Sequence, residues 1–91
     1  MKLMDKVTVA AQVLAKQVGD ELVILDLANG TYFGLDPVGA RIWLLLTDNK
    51  TIKQVCDEML VEYEATEETV EHDVMALLQT LVDRQLVSLA A

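Results

Sequence analysis

Ninety-one residues with 53% hydrophobic content supply one folded domain, residues 1–91, and leave no room for a second core. Fifteen acidic residues against seven basic ones give a formal net charge of −8, which speaks against nucleic acid and against an anionic membrane surface, since both need clustered Lys and Arg. A mean hydropathy of +0.32 is high for so charged a chain; a domain of this size leaves roughly a third or more of its unfolded-chain surface exposed, so an apolar contact face is expected.

The N-terminal residues Met1 to Lys6 show neither a long apolar h-region nor a signal cleavage pattern, and no run is long enough to span a bilayer. One cysteine, Cys56, excludes an internal disulfide and fits a reducing, cytoplasmic setting. Val7, Val9, Ala11 and Val13 alternate with more polar neighbours, which predicts one or two short strands. Gly19-Asp20 punctuates the chain, and Leu22 to Leu27 continues as a near-continuous apolar strand. Asn29-Gly30, both tolerant of positive φ, reads as a two-residue hairpin turn into the aromatic strand Thr31 to Leu35. The first third is thus a three-stranded antiparallel meander whose last strand is an edge, with N–H and C=O groups that another chain can pair.

At Asp36 the apolar period becomes helical. Asp36 is suited to cap the first helix and Pro37 to open it. Val38, Ile42, Trp43, Leu45 and Leu46 form its apolar face, with Trp43 as a core anchor and an end near Asp48-Asn49. Thr51 and Gln54 have the form of a capping box, ahead of the stripe Ile52, Val55, Cys56, Met59, Leu60 and Tyr63. Thr66 caps the third helix, and Glu67 and Glu68 suit its dipole. The stripe there is Val70, Val74, Leu77, Leu78, Leu81 and Val82, with Met75 alongside; Leu86 to Leu89 is an apolar tail that tucks back onto the body. The order predicts an α+β fold: a three-stranded antiparallel sheet followed by three helices on one face, like a winged helix-turn-helix body with its sheet placed first.

Chemistry finds little footing. Cys56 lies on an apolar stripe and reads as an inert buried thiol. His72, between Glu71 and Asp73, has no converging metal ligands and no triad partners. Gly34 and Gly39 form no phosphate loop. No catalytic residue, metal site or cofactor is expected. The acidic run from Glu58 to Asp73 reads as a solvated face, or more sharply as a surface that steers a basic partner. Arg41 and Arg84 are expected to pair with carboxylates. Tyr32 and Phe33, being adjacent in a strand, point to opposite faces; Phe33 shares parity with Thr31 and Leu35 and faces the helices.

The run Gly30-Thr-Tyr-Phe-Gly-Leu-Asp-Pro-Val-Gly-Ala-Arg-Ile-Trp43 resembles the central motif of the PqqD-like peptide-recognition domains, the RiPP recognition elements, and more narrowly the stand-alone B1 members from lasso-peptide biosynthesis. Val18 to Leu27, and Asp73 to Leu78 with Leu81, Leu86 and Val87, are similar too, so the resemblance covers about residues 11–89. It implies a non-catalytic module that binds the leader segment of a ribosomal precursor peptide by antiparallel β-strand addition. It also implies delivery to a separate B2-type cysteine protease, with a cyclase acting afterwards. The peptide-binding residues it implies are Leu25, Thr31, Tyr32, Phe33 and Gly34 on the sheet, and Asp73, Val74, Met75, Leu78 and Val82 on the third helix. Asp73 serves there either a donor of the leader or merely the helix surface. Three other readings stand beside this one: a peptide chaperone for a radical-enzyme pathway, a winged-helix nucleic-acid binder, and a dimer that pairs its edge strand with its twin.

Overall fold

Two hairpins build the sheet, and each depends on one glycine with positive φ. The computed structural model describes residues 2–90, leaving the two end residues of the expected 1–91 domain outside it. Strand β1 covers Lys6–Val9, β2 Val13–Val18, β3 Glu21–Asp26 and β4 Thr31–Leu35. Gly19-Asp20 closes β2 on β3 with Gly19 at φ +64°, the pattern of a type II′ turn. The second hairpin differs from expectation. Asp26 pairs with Thr31, so the loop is Leu27 to Gly30, and within it Gly30 alone has positive φ, at +67°. The loop takes four residues because Asp26, not Asn29, organises it, as the site below shows.

The helices are α1 (Pro37–Leu46), α2 (Ile52–Glu62) and α3 (Glu67–Asp83), followed by β5 (Val87–Ala90). Asp36 Oδ1 accepts the Gly39 N–H at 2.8 Å, and Pro37 takes the first turn of α1. That helix stops at Leu46, slightly before the expected end, where the Thr47 hydroxyl donates to the Trp43 carbonyl at 2.9 Å. The capping box of α2 is complete: Thr51 Oγ1 accepts the Gln54 N–H at 3.1 Å, and Gln54 Oε1 accepts the Thr51 N–H at 2.8 Å. Thr66 Oγ1 accepts the Thr69 N–H at 3.1 Å to open α3.

α3 ends in a Schellman motif: Leu86 N–H donates to Leu81 O at 3.0 Å, Gln85 N–H to Val82 O at 2.9 Å, and Gln85 sits at φ +60°. This reversal sends Leu86 into the core and starts β5. The apolar tail therefore does return to the body, but as a strand: β5 pairs antiparallel with β1, Val7 opposite Leu89 and Val9 opposite Val87. Among the described residues the expected three-stranded antiparallel sheet is present as β2-β3-β4, and a second, two-stranded sheet, β1-β5, is added to it. Strands only four residues long that meet from opposite ends of the chain leave too short a pattern to show their pairing.

The inner face of the larger sheet is set by alternation, with Leu22, Ile24 and Leu35 buried under the helices. Ile24, Ile52, Val55, Leu78 and Leu81 are wholly buried, and Trp43 joins them as expected. Cys56 is buried in the same core, and burial pushes its thiol pKa up, away from reactivity. Arg41 clamps Glu62 through Nε and a terminal nitrogen at 2.7 Å each, which holds the Glu62 carboxyl below its ordinary pKa.

Chemical denaturation should separate two substitutions in opposite directions. Leu78→Ala removes a fully buried side chain and should cost about 2–5 kcal/mol. Gln85→Gly relieves a left-handed backbone and should add about 1 kcal/mol. Equal midpoints for the two variants would contradict this account of the core and the α3 terminus.

Candidate functional site

β4 is an outer strand, so one side of its backbone has no strand partner among the described residues. Which of its groups face outward follows from β3. Leu27 N–H donates to Gln12 O at 2.9 Å, toward β2, while Gly30 N–H donates to Asp26 O at 2.9 Å, toward β4. Backbone direction alternates along an antiparallel strand, so Leu22, Ile24 and Asp26 bond to β4, and through the register so do their partners Leu35, Phe33 and Thr31. Tyr32 and Gly34 therefore turn their N–H and C=O groups to the open edge. β2, the opposite outer strand, carries Lys16 near its middle, a residue type that discourages edge pairing.

The side chains follow the expected parity. Tyr32 is 75% exposed on the outer face, opposite Leu25, whereas Phe33 is half-buried and packs on the core. The strand's start is pinned by Asp26, which is only 3% exposed. Its Oδ1 accepts the N–H of Ala28 at 3.1 Å and of Asn29 at 3.4 Å, and its Oδ2 accepts Asn29 Nδ2 at 2.8 Å. Sequence reading passed over this residue; an Asp that closes a strand two and three residues before the groups it accepts is the signal for such a turn.

α3 lines the open edge and runs antiparallel to β4. Near its N-terminal end, Asp73, Ala76 and Leu77 enclose a depression of about 340 Å³ with Gly34, Leu35 and Asp36, floored by Val38 and Ile42 of α1. Near its C-terminal end, Arg84 meets Thr31, Tyr32 and Phe33 around a smaller depression of about 140 Å³. The two follow one another along β4 and make a groove between strand and helix. An apolar pocket of about 220 Å³ opens beside the first and shares Val38, Ile42 and Asp73 with it, adding Met59, Tyr63 and Val70. Among the described residues Arg84 has no carboxylate partner of the kind expected; its guanidinium carbon lies 4.6 Å from the Phe33 ring centroid, because the α3 terminus places it over that ring.

The expected site residues thus divide. Thr31, Tyr32, Phe33 and Gly34 sit together on the edge strand, and Asp73 stands exposed on the groove rim. Leu25 is half-buried on the outer face of the sheet, opposite Tyr32 and away from the helices. Val74 and Leu78 are core residues, 1% and 0% exposed, and Val74 also lines the apolar pocket beside Asp73. Met75 lines a separate depression along α3 with Glu67, Glu68, Glu71 and His72. Val82 is half-buried against the core. The residues that do face β4 from α3, Ala76, Leu77 and Arg84, were not singled out as site residues. The most apolar stripe of the helix fills the core, so the groove is left with positions one step round: Asp73, Leu77 and Arg84, at i, i+4 and i+11.

Among the described residues no group of three or more His, Cys, Asp or Glu is placed to hold a metal ion, and no helix is long and apolar enough to cross a membrane. His72 is exposed, with Nδ1 3.5 Å from Asp73 Oδ1.

Comparison with known proteins points in one direction. The family described as coenzyme PQQ synthesis protein D (PqqD) matches residues 21–87. The solved structure of TbiB1 in complex with the TbiA(beta) leader peptide is similar at 39% identity and a TM-score of 0.84, covering 88% of this chain and 93% of that one. A lasso peptide synthetase B1 complexed with the leader peptide shares the fold at 24% identity and a TM-score of 0.85, covering 91% and 98%. No curated protein matches the chain.

Asp26 gives the site its stability test. Asp26→Ala strands the loop donors and should cost about 1.5–3 kcal/mol, whereas Asp26→Asn keeps an acceptor and should cost less. Thermal melts of both variants, with amide exchange at Phe33, report it; identical melting of Ala and Asn variants would mean that the carboxylate does not organise the turn.

Proposed function

This chain belongs to the PqqD family, and on that premise we propose that it captures the leader segment of a ribosomal precursor peptide of the lasso class and delivers it to a separate processing protease. The observation that carries the reading is the unpaired edge of β4: Tyr32 and Gly34 direct backbone donors and acceptors into a groove walled by Asp73, Leu77 and Arg84. An extended leader adds there as a further antiparallel strand, and the side chains it turns toward the groove select it. The similar TbiB1 holds a leader peptide, which supports the same use of this fold here.

Magnitudes decide which contacts matter. Tyr32 and Gly34 offer one N–H and one C=O each, and each bond nets about 0.5–1.5 kcal/mol. Ordering an extended peptide costs about 1–2 kcal/mol per residue. Four such bonds therefore fall short of the ordering cost of an extended segment of about five residues, and their part is to set direction and register. Net affinity comes from apolar side chains buried against Leu77 and in the pocket over Val38, Ile42, Met59 and Val70, at about 25 cal/mol per Å².

No chemical step is assigned to this chain. Its thiol is buried and its histidine is exposed beside one carboxylate, which supports a presenting role rather than a catalytic one. The enzymes it serves in this reading are a B2-type cysteine protease, which removes the leader, and a cyclase that follows, in the cytoplasm.

Anisotropy titration with labelled TbiA(beta) leader peptide tests the proposal. Saturable binding is expected, and Tyr32→Pro, which deletes an outward N–H but no bond to β3, should weaken it about tenfold or more. Absence of saturable binding by the folded protein, or unchanged affinity in Tyr32→Pro, would overturn the strand-addition reading.

A further inference from the structure

Resting on the leader-binding reading, we propose that the groove reads the order of charges along its peptide: an acidic side chain docks on Arg84, a basic or donor side chain docks on Asp73, and this order fixes the direction and register of the added strand.

Among the described residues Arg84, like Lys2, Lys6 and Lys16, makes no ion pair, and what distinguishes it is its place over an aromatic ring. Arg41 is clamped by Glu62, Lys50 lies 3.3 Å from Asp48, and Lys53 lies 3.3 Å from Asp57. Arg84 has no carboxylate partner among the described residues; it stacks on Phe33 at 4.6 Å instead. Stacking holds the guanidinium by its face and leaves its edge donors available, in the fork geometry that takes a carboxylate through two bonds. Phe33 belongs to the strand that the peptide would extend, so the cation is fixed relative to the pairing edge. Both residues line the depression that also contains Thr31 and Tyr32.

The other end has the opposite sign. Asp73 shares its depression with Gly34 and Asp36. Asp36 Oδ1 is committed to capping α1 through the Gly39 N–H, while Asp73 is exposed, with His72 3.5 Å away. Asp73 therefore presents the available carboxylate at this end, and the groove runs from an anion to a cation.

Geometry converts that polarity into a sequence rule. Asp73 and Arg84 are eleven residues apart on α3, about 16 Å at 1.5 Å per residue. An extended peptide covers that distance in about five residues at 3.3 Å each. α3 passes Gly34 first and Thr31 last, so a strand antiparallel to β4 enters beside Asp73 and leaves beside Arg84. Its basic residue then lies about five positions N-terminal to its acidic one. A peptide with the reverse order meets like charges at both ends, and each mismatch should weaken binding by about fivefold to thirtyfold.

Panning a display library of random dodecapeptides against the full chain, and against Arg84→Glu and Asp73→Lys, tests this. Wild type should enrich peptides with Lys or Arg about four to six residues before Asp or Glu. Arg84→Glu should turn the later preference basic, and Asp73→Lys should turn the earlier one acidic; both substitutions are at exposed positions, so the two arms check each other. Enriched peptides that depend on the β4 edge, being lost with Tyr32→Pro, yet show no charge order or the same order in both variants, would overturn this inference and leave leader binding standing. A library that yields no peptide dependent on that edge would overturn leader binding and this inference with it.

Discussion

Backbone N–H and C=O groups are satisfied within the chain, by water or by another chain, and β4 leaves those of Tyr32 and Gly34 without a partner among the described residues. The rest of the molecule positions that one edge. Asp26 pins the loop that starts β4, and Asp36 with Pro37 turns its end directly into α1. The buried parity of Leu22, Ile24 and Leu35 locks its register, since a slip of one residue would move every one of these side chains to solvent. α3 then rises beside the edge at a distance that leaves a groove instead of covering it.

The same geometry separates affinity from specificity. Pairing with a flat edge is available to almost any extended peptide, including a second copy of this chain. Selectivity must come from the groove's shape and charge, and the helix supplies both through residues that are not its most apolar ones. The large negative charge acts at longer range: it disfavours anionic partners before any contact is made and steers approach of basic ones. An isolated cation stacked on Phe33 is the local exception to that field.

Local chemistry was legible in the sequence and distant packing was not. The Thr51–Gln54 box, the Thr66 and Asp36 caps and the opposite facing of Tyr32 and Phe33 each rest on residues a few positions apart, and each is present. The β1–β5 sheet joins residues some eighty positions apart and left only short apolar runs to read. The phase of α3 was the costlier gap. An apolar stripe marks what is buried, not what the burial is against: Val74 and Leu78 both pack in the core, and Val74 also reaches the wall of the apolar pocket beside Asp73. Arg84 was read for its charge, and its partner proved to be an aromatic face that only the Schellman reversal of α3 brings into reach.

Amide hydrogen exchange, resolved by residue and measured with and without the TbiA(beta) leader peptide, tests the central claim most directly. In the free protein the Tyr32 and Gly34 amides should exchange fast while Phe33, bonded to β3, is protected. Saturating peptide should protect Tyr32 and Gly34 and leave Phe33 little changed. Peptide binding that leaves the Tyr32 and Gly34 amides as exposed as before would contradict strand addition at β4.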